Sequence, residues 1–302
     1  MKPSSSIDLI ISYVNCADSN WVRDYITTTK THNPSMVRYR PWGTLKYLFR
    51  GVEKYMPFIR SIVLVVARES QVPIWINRET VRIVYHEDFI PKEFLPTFNS
   101  CTIESFFWNI PDLADRVIYI NDDMFPMQDM SEDDFFTGDL PHIHFHELGS
   151  FNPRNMFRQQ CHNGYNLVAG GLGMPRLDAN LEIRPMHISS AFTRESMQAI
   201  SEKCIDALRY TISALRQTKN VNQYIYLYYH YLTNTYVDST LDSIYYDMSD
   251  KSLEDILSEI LEGEHQFVCL NDGDKIKNYT KFKNRLLKAF EEKFPTVSKY
   301  EV

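Results

Sequence analysis

Along the first half of the chain, short β-branched runs alternate with amphipathic stretches, and four strands stand out, at residues 7–14, 61–67, 81–85 and 116–120. Between the first two, Leu45, Leu48, Phe49, Val52 and Tyr55 recur at helical spacing. Lys46, Arg50, Glu53 and Lys54 take the opposite face, and Pro57 closes the segment. A second helix is expected from about Ser100, whose hydroxyl can cap it. It would bury Ile103, Phe106, Phe107 and Ile110 before Pro111. This alternation predicts an α/β fold with a largely parallel sheet.

The pattern changes further on. Helical periodicity runs over about 193–216, 222–233, 252–261 and 278–294, which predicts a helical C-terminal part. Between the halves, residues 139–184 are rich in Gly, Pro, Asn and His without clear periodicity, so loops and short strands that cover a site are expected there. Residues 1–138 and 185–302 are accordingly read as one α/β catalytic domain, with 139–184 as an irregular insert.

Composition supports a folded core: the chain has 302 residues, of which 44% are hydrophobic and 24% charged. Nineteen Tyr and 18 Phe suit deep packing and stacking against sugar or base rings. A formal net charge of -7 argues against a nucleic-acid partner, whose phosphates would be repelled. The five cysteines, Cys16, Cys101, Cys161, Cys204 and Cys269, lie far apart with no CxxC pair, which suits a reducing compartment. Residues 1–6 lack the charged and apolar regions of a signal peptide, and no run approaches the roughly 18 apolar residues of a membrane span. A cytoplasmic location is expected.

The sharpest chemical signal is Val117-Ile118-Tyr119-Ile120-Asn121-Asp122-Asp123, an apolar strand that runs straight into two adjacent carboxylates. Open α/β sheets bind ligands at the carboxyl ends of their strands. A hard divalent cation prefers oxygen ligands shared between one or two acids and substrate phosphates. The alternative is a solvated turn. The exit of the first strand places Asn15 and Asp18 in the following loop, as a nucleotide contact or as a capping turn before the next helix. Arg38, Arg40 and Arg50 lie before and within that next amphipathic segment, where guanidinium forks and a helix N-terminus suit a diphosphate; solvated surface arginines are the plainer reading. His142, His144 and His146 alternate, yet nothing nearby completes a tetrahedral set for zinc. Gly170-Gly171-Leu172-Gly173 lacks the strand-to-helix context of a phosphate cradle and reads as a flexible cover loop. Lys275, Lys277, Lys281, Lys283, Arg285 and Lys288 accompany Phe282, Leu286 and Phe290 at helical spacing. That pattern is a solvated helix face or a basic amphipathic helix held against anionic lipid.

Taken in order, these motifs resemble the Stealth proteins of capsular polysaccharide synthesis, a family that includes the lysosomal-enzyme GlcNAc-1-phosphotransferase. The first block is similar to residues 7–21. The second and longest is similar to Arg38-Tyr39-Arg40, Gly43-Thr44-Leu45-Lys46-Tyr47, Arg50-Gly51-Val52-Glu53-Lys54-Tyr55, Pro73-Ile74-Trp75-Ile76-Asn77, Leu95-Pro96-Thr97-Phe98-Asn99-Ser100, Ile103-Glu104 and Tyr119-Ile120-Asn121-Asp122-Asp123-Met124-Phe125. The third resembles the stretch around His187, and the fourth Cys269-Leu270-Asn271-Asp272. The chain departs from the pattern at Asn15-Cys16, where Asp-Gly is usual, at Pro41, where an acid often stands, and at Ser189, where a Pro is common.

The resemblance implies a Rossmann-like, GT-A-type nucleotide-sugar transferase core with Mg²⁺ or Mn²⁺ as cofactor. The implied reaction transfers a hexose-1-phosphate from a nucleotide-sugar, UDP-linked, to a hydroxyl of a glycan or lipid-linked saccharide acceptor, in bacterial surface polysaccharide synthesis at the inner face of the membrane. It adds Asn271 and Asp272 to Asp122 and Asp123 as the metal shell, with Asp123 and Arg40 also at the reacting phosphate. His187 is the group expected to take or orient the acceptor's proton. Asn15, Asp18, Arg38, Arg50, Asn99 and Asn121 are the expected substrate contacts. A true glycosyltransferase on the same fold, which breaks the anomeric C–O bond and releases a nucleoside diphosphate, would use the same local motifs.

Overall fold

The structure is a computed structural model that describes residues 6–31, 37–149, 151–273 and 275–302; residues 1–5 of the N-terminal stretch read above lie outside it. Strand β1 (Ile7–Ser12) leads to helices α1 (Ser19–Thr29) and α2 (Leu45–Tyr55), strands β2 (Ile59–Val66) and β3 (Val81–Tyr85), and the short helices α3 (His86–Phe89) and α4 (Ser100–Glu104). Strand β4 (Arg116–Asn121) is followed after two residues by β5 (Met124–Pro126). Then come β6 (Phe136–Thr137), β7 (Leu140–Pro141), β8 (Phe145–Leu148), α5 (Met156–Gly171), β9 (Glu182–Pro185) and β10 (Ser190–Thr193). The remainder holds α6 (Arg194–Lys203), α7 (Ile205–Thr211), α8 (Tyr224–Thr233), β11 (Ser243–Asp247), α9 (Leu253–Glu262), β12 (Phe267–Asn271) and α10 (Tyr279–Lys293).

This is a mixed α/β fold with a largely parallel five-stranded sheet in the order β10-β4-β1-β2-β3. The four strands read from the sequence are four of its members, and β10 joins antiparallel to β4, Phe192 opposite Val117. Among the described residues no helix is long and apolar enough to cross a membrane.

The chain forms two compact units, one taking the chain up to residue 8 with 84–119 and 133–240, the other 9–83, 120–132 and 241–302. In the second unit, the Leu45, Leu48, Phe49 and Val52 face of α2 is buried as its spacing requires. Gly51 lets α2 approach β5: a Cβ there would stand 2.8 Å from the Pro126 carbonyl oxygen. Strand β5 is one edge of a second sheet, β11-β12-β5, in which β11 is parallel and β5 antiparallel to β12. Phe125 of β5 meets Phe290 of α10 at 4.5 Å between ring centroids.

In the first unit, α8 is the core helix: residues 224–228 are almost wholly buried, Phe192 stacks on Tyr226 at 4.8 Å, and Tyr228 donates to the Ile183 carbonyl at 2.8 Å. The tyrosine-rich run is therefore packing.

Four expectations are corrected. Residues 139–184 are not irregular throughout, since they contain the 16-residue α5, capped by Asn155, whose side chain accepts from the Arg158 amide. Gly170 and Gly171 end that helix and Gly173 takes a positive φ of 69° just beyond it, so the glycine run is a helix terminus and not a cover loop. The pattern over 193–216 breaks at Cys204 into α6 and α7, and Asn99, not Ser100, caps α4.

Candidate active site

Strand β4 is buried from Arg116 to Ile120, and the chain emerges at Asn121 into the turn Asp122-Asp123 before β5. The partner strand β12 brings Cys269 opposite Met124, and the Leu270 amide donates to the Asp123 carbonyl at 2.8 Å. Asn271 and Asp272 follow directly, so the acids at the end of β4 and the Asn-Asp pair at the end of β12 lie at one sheet end within the second unit. The Asn271 side-chain amide donates to the Asp272 carbonyl at 3.2 Å.

Electrostatically the two aspartates are uncomfortable. Burial first, and the neighbouring Asp123 second, push the Asp122 carboxyl up to about 8. Burial first, with Asp272 adding repulsion, pushes Asp123 to about 7. Asp123 Oδ1 is buried with no hydrogen-bond partner. A buried carboxylate oxygen without a donor carries a desolvation cost that a bound cation would remove. Among the described residues no group of three or more His, Cys, Asp or Glu stands close enough to hold an ion alone. The fit is therefore to a hard cation that takes one or two carboxylates and draws its other ligands from water or substrate phosphate.

Asp272 is already engaged. Arg40 Nε donates to its Oδ2 at 2.6 Å, Arg40 Nη2 pairs with Oδ1, and Trp42 Nε1 donates to Oδ2 at 2.9 Å. Arg40 also reaches the Gly273 carbonyl at 3.0 Å. Its guanidinium lies over the Tyr279 ring at 4.6 Å and the Trp42 ring at 5.2 Å. Arg40 and Asp272, expected on opposite partners, are here paired with each other.

The other expected contacts of this unit differ in kind. Asn15 stays in the loop after β1, its side chain accepting from the Ala17 amide at 2.8 Å, while Gln71 bonds both its backbone N–H and its carbonyl. Asp18 is the N-cap of α1 and accepts from Asn20, Ser70 and Gln71. Burial works against its ionised form, and those hydrogen bonds outweigh it and hold the carboxyl below the usual range. Arg38 is exposed in a short turn of 3₁₀ helix, Val37–Tyr39. Arg50 corrects the phosphate reading given to it: only 6% exposed, it forks onto Glu301 at 2.8 and 2.9 Å and donates to the Phe294 carbonyl at 2.7 Å, fastening α2 to the C-terminal segment.

His187 and Asn99 belong to the first unit. Asn99 is 1% exposed and donates to Thr102, the Ser213 carbonyl and Asn220, a structural role in place of the substrate contact expected of it. His187 lies in the bend between β9 and β10, with Nδ1 3.2 Å from the Tyr224 hydroxyl. Burial, then the charges of Arg216 and Arg184, push it down to about 4, so it is neutral at pH 7. His144 contacts Asp238 at 3.1 Å and His142 contacts Thr137 at 2.8 Å. Sequence reasoning missed Trp42 and Tyr279 in the second unit and Arg184 and Arg216 beside His187. Trp42 sits two residues from Arg40, but only the long-range fold brings it to Asp272.

Residues 38–142 match the model of Stealth protein conserved region 2. The chain is 27% identical to the capsular polysaccharide phosphotransferase WcwK of Streptococcus pneumoniae, covering 100% of this chain and 99% of that protein. It is 26% identical to the exopolysaccharide phosphotransferase cps2G of Lactiplantibacillus plantarum, over 98% of this chain and 96% of that one. With the receptor polysaccharide phosphotransferase WefC of Streptococcus oralis it shares 26%, over 99% and 100%. With residues 38–142 matching the Stealth conserved region 2 and these relatives aligned from end to end, the chain carries that Stealth region and is similar over its full length to proteins named polysaccharide phosphotransferases.

Proposed function

We propose that this protein is a polysaccharide phosphotransferase that moves a hexose-1-phosphate from a UDP-linked sugar to a hydroxyl of a glycan acceptor and releases UMP. The printed names of its full-length relatives support the reaction class. The observation that carries the site is the half-buried pair Asp122 and Asp123, with one buried carboxylate oxygen lacking any donor, at the end of β4 beside Asp272. A largely parallel sheet with acids at a strand exit is the scaffold of a GT-A-type nucleotide-sugar enzyme.

Attack at the sugar-bearing phosphorus calls for positioning and charge neutralisation more than for covalent chemistry. Asp122 and Asp123 would hold Mg²⁺ or Mn²⁺, which supplies Lewis-acid charge to the diphosphate. Asn271 offers a neutral oxygen beside them. Arg40, fixed between two aromatic rings, presents a guanidinium of the geometry that binds phosphate oxygens. His187, in the first unit and neutral at working pH, is the residue proposed to take or orient an acceptor hydroxyl's proton. The partners are thus a nucleotide-sugar donor and a saccharide acceptor, free or lipid-linked, and the place of action is the cytoplasmic face of the membrane.

The test is to incubate the protein with a UDP-sugar, acceptor and Mg²⁺ and identify the nucleotide released. UMP is the expected product. UDP with no UMP would replace this reading with a glycosyltransferase.

A further inference from the structure

The Arg40–Asp272 pair is held by a clip that the reaction itself does not require. Between Arg40 and α2 run Pro41, Trp42, Gly43 and Thr44, with Gly43 at a positive φ of 78° that favours glycine. The Pro41 carbonyl accepts from the Tyr279 hydroxyl at 2.5 Å and from Lys283 Nζ at 2.6 Å, both on the first turns of α10. The Trp42 ring meets Tyr279 edge-on at 4.8 Å and Phe282 at 5.7 Å. Its indole N–H, aimed out of this aromatic set, donates to Asp272 Oδ2, the same oxygen that accepts from Arg40 Nε.

We infer that Trp42 is a positioning residue: its indole N–H fixes the rotamer of Asp272 toward the Asp122–Asp123 turn, and its ring, with Tyr279, fixes the plane of Arg40. The inference rests on the reading of that turn as the donor site. A side-chain carboxylate has two χ angles, and Asp272 follows the last residue of β12, where no ladder holds it. Arg40 alone would leave the pair free to rotate as a unit, because both partners are flexible; the indole, locked by two aromatic neighbours and by the Arg40 guanidinium over its ring, supplies the fixed point. A charge-assisted N–H donor on a partly buried carboxylate is worth enough to set its orientation. Geometric losses of this sort act on turnover through the groups they misplace.

The decisive experiment is a double-mutant cycle of Trp42→Phe with Asp272→Ala. Phenylalanine keeps an aromatic ring against Tyr279 and Phe282 and removes the N–H together with part of the indole. Trp42→Phe alone is expected to lower kcat/KM for the donor about tenfold and to weaken Mg²⁺-dependent UDP binding, with the melting temperature held within about 2 °C. On the Asp272→Ala background the same change is expected to add nothing, since the acceptor oxygen is gone. Equal losses on both backgrounds would mean that Trp42 acts only as packing and would overturn the inference. So would unchanged donor kinetics in the single variant. Failure of the donor-site reading is read separately, from Asp123→Asn: if that variant binds Mg²⁺ and UDP as the wild type does, the site lies elsewhere, whatever the cycle gives.

Discussion

The Leu270 amide donates to the carbonyl of Asp123 across 2.8 Å, and this one backbone bond between β12 and the β4–β5 turn joins residues 147 positions apart in the sequence into one sheet end. Everything chemical in the second unit depends on it. Without β12, the Asn271-Asp272 pair has no reason to lie beside Asp122 and Asp123, and Arg40 has no carboxylate to hold.

The first consequence concerns pH and cation together. Asp122 and Asp123 have folded-state values raised from 3.8 to about 8 and about 7. A raised carboxyl binds its proton more tightly in the folded state, so the associated stability is complete below about pH 4 and is lost as pH rises through 7 and 8. A divalent cation replaces those protons. The gain in melting temperature on adding Mg²⁺ should therefore be larger at pH 8.5 than at pH 6, each extra kcal/mol appearing as about 2 °C. Thermal melts at both pH values, with and without Mg²⁺, check this; a gain independent of pH contradicts it.

The ion pair of Arg50 with Glu301 is a stability element. Both side chains are nearly buried, at 6% and 7% exposure, so removal of the Glu301 charge leaves the buried Arg50 with only the half-exposed Glu291, at 3.4 Å, as a counter-charge. Glu301→Gln should cost about 3 kcal/mol in urea unfolding while leaving Mg²⁺ affinity unchanged. A loss of cation binding with stability intact would return Arg50 to the phosphate site.

His187 is expected to act as a neutral base. His187→Gln should lower kcat by about 10²-fold or more without weakening Mg²⁺–UDP binding. Because its folded value is depressed to about 4, the acid limb of kcat/KM should fall near pH 4 and not near pH 6.5. An acid limb at 6.5 that vanishes in the variant would show that the imidazole is not shielded as its burial and its two arginines require.

Much of this was legible in the sequence for physical reasons. The strand 116–120 reads clearly because it is apolar after Arg116 and leads into paired acids, and helix α2 because Leu45, Leu48, Phe49 and Val52 keep the helical period over two turns. The β11-β12-β5 sheet was not legible. Phe267-Val268-Cys269-Leu270 is a short apolar run, which periodicity does not separate from a helix segment, and Met124-Phe125-Pro126 is three residues long. The motif at Asn271-Asp272 was found by resemblance, whereas its neighbourhood came from a sheet the pattern did not announce. Arg50 and Asn99 misled for the opposite reason: polar residues inside a signature region read as ligand contacts, while their partners, Glu301 and Asn220, lie 251 and 121 positions away. Trp42 escaped because nothing in its local spacing distinguishes an indole that packs from one whose N–H holds a carboxylate.

The most direct test of the central claim is the affinity of Mn²⁺ for wild-type protein and for Asp123→Asn, titrated by calorimetry in the presence of UDP. The buried, unpartnered oxygen predicts at least a tenfold weaker affinity, about 1.4 kcal/mol, in a variant that folds at least as stably as the wild type without metal. Equal affinities would contradict the account, because the ion would then be held by groups other than the acids at the end of β4.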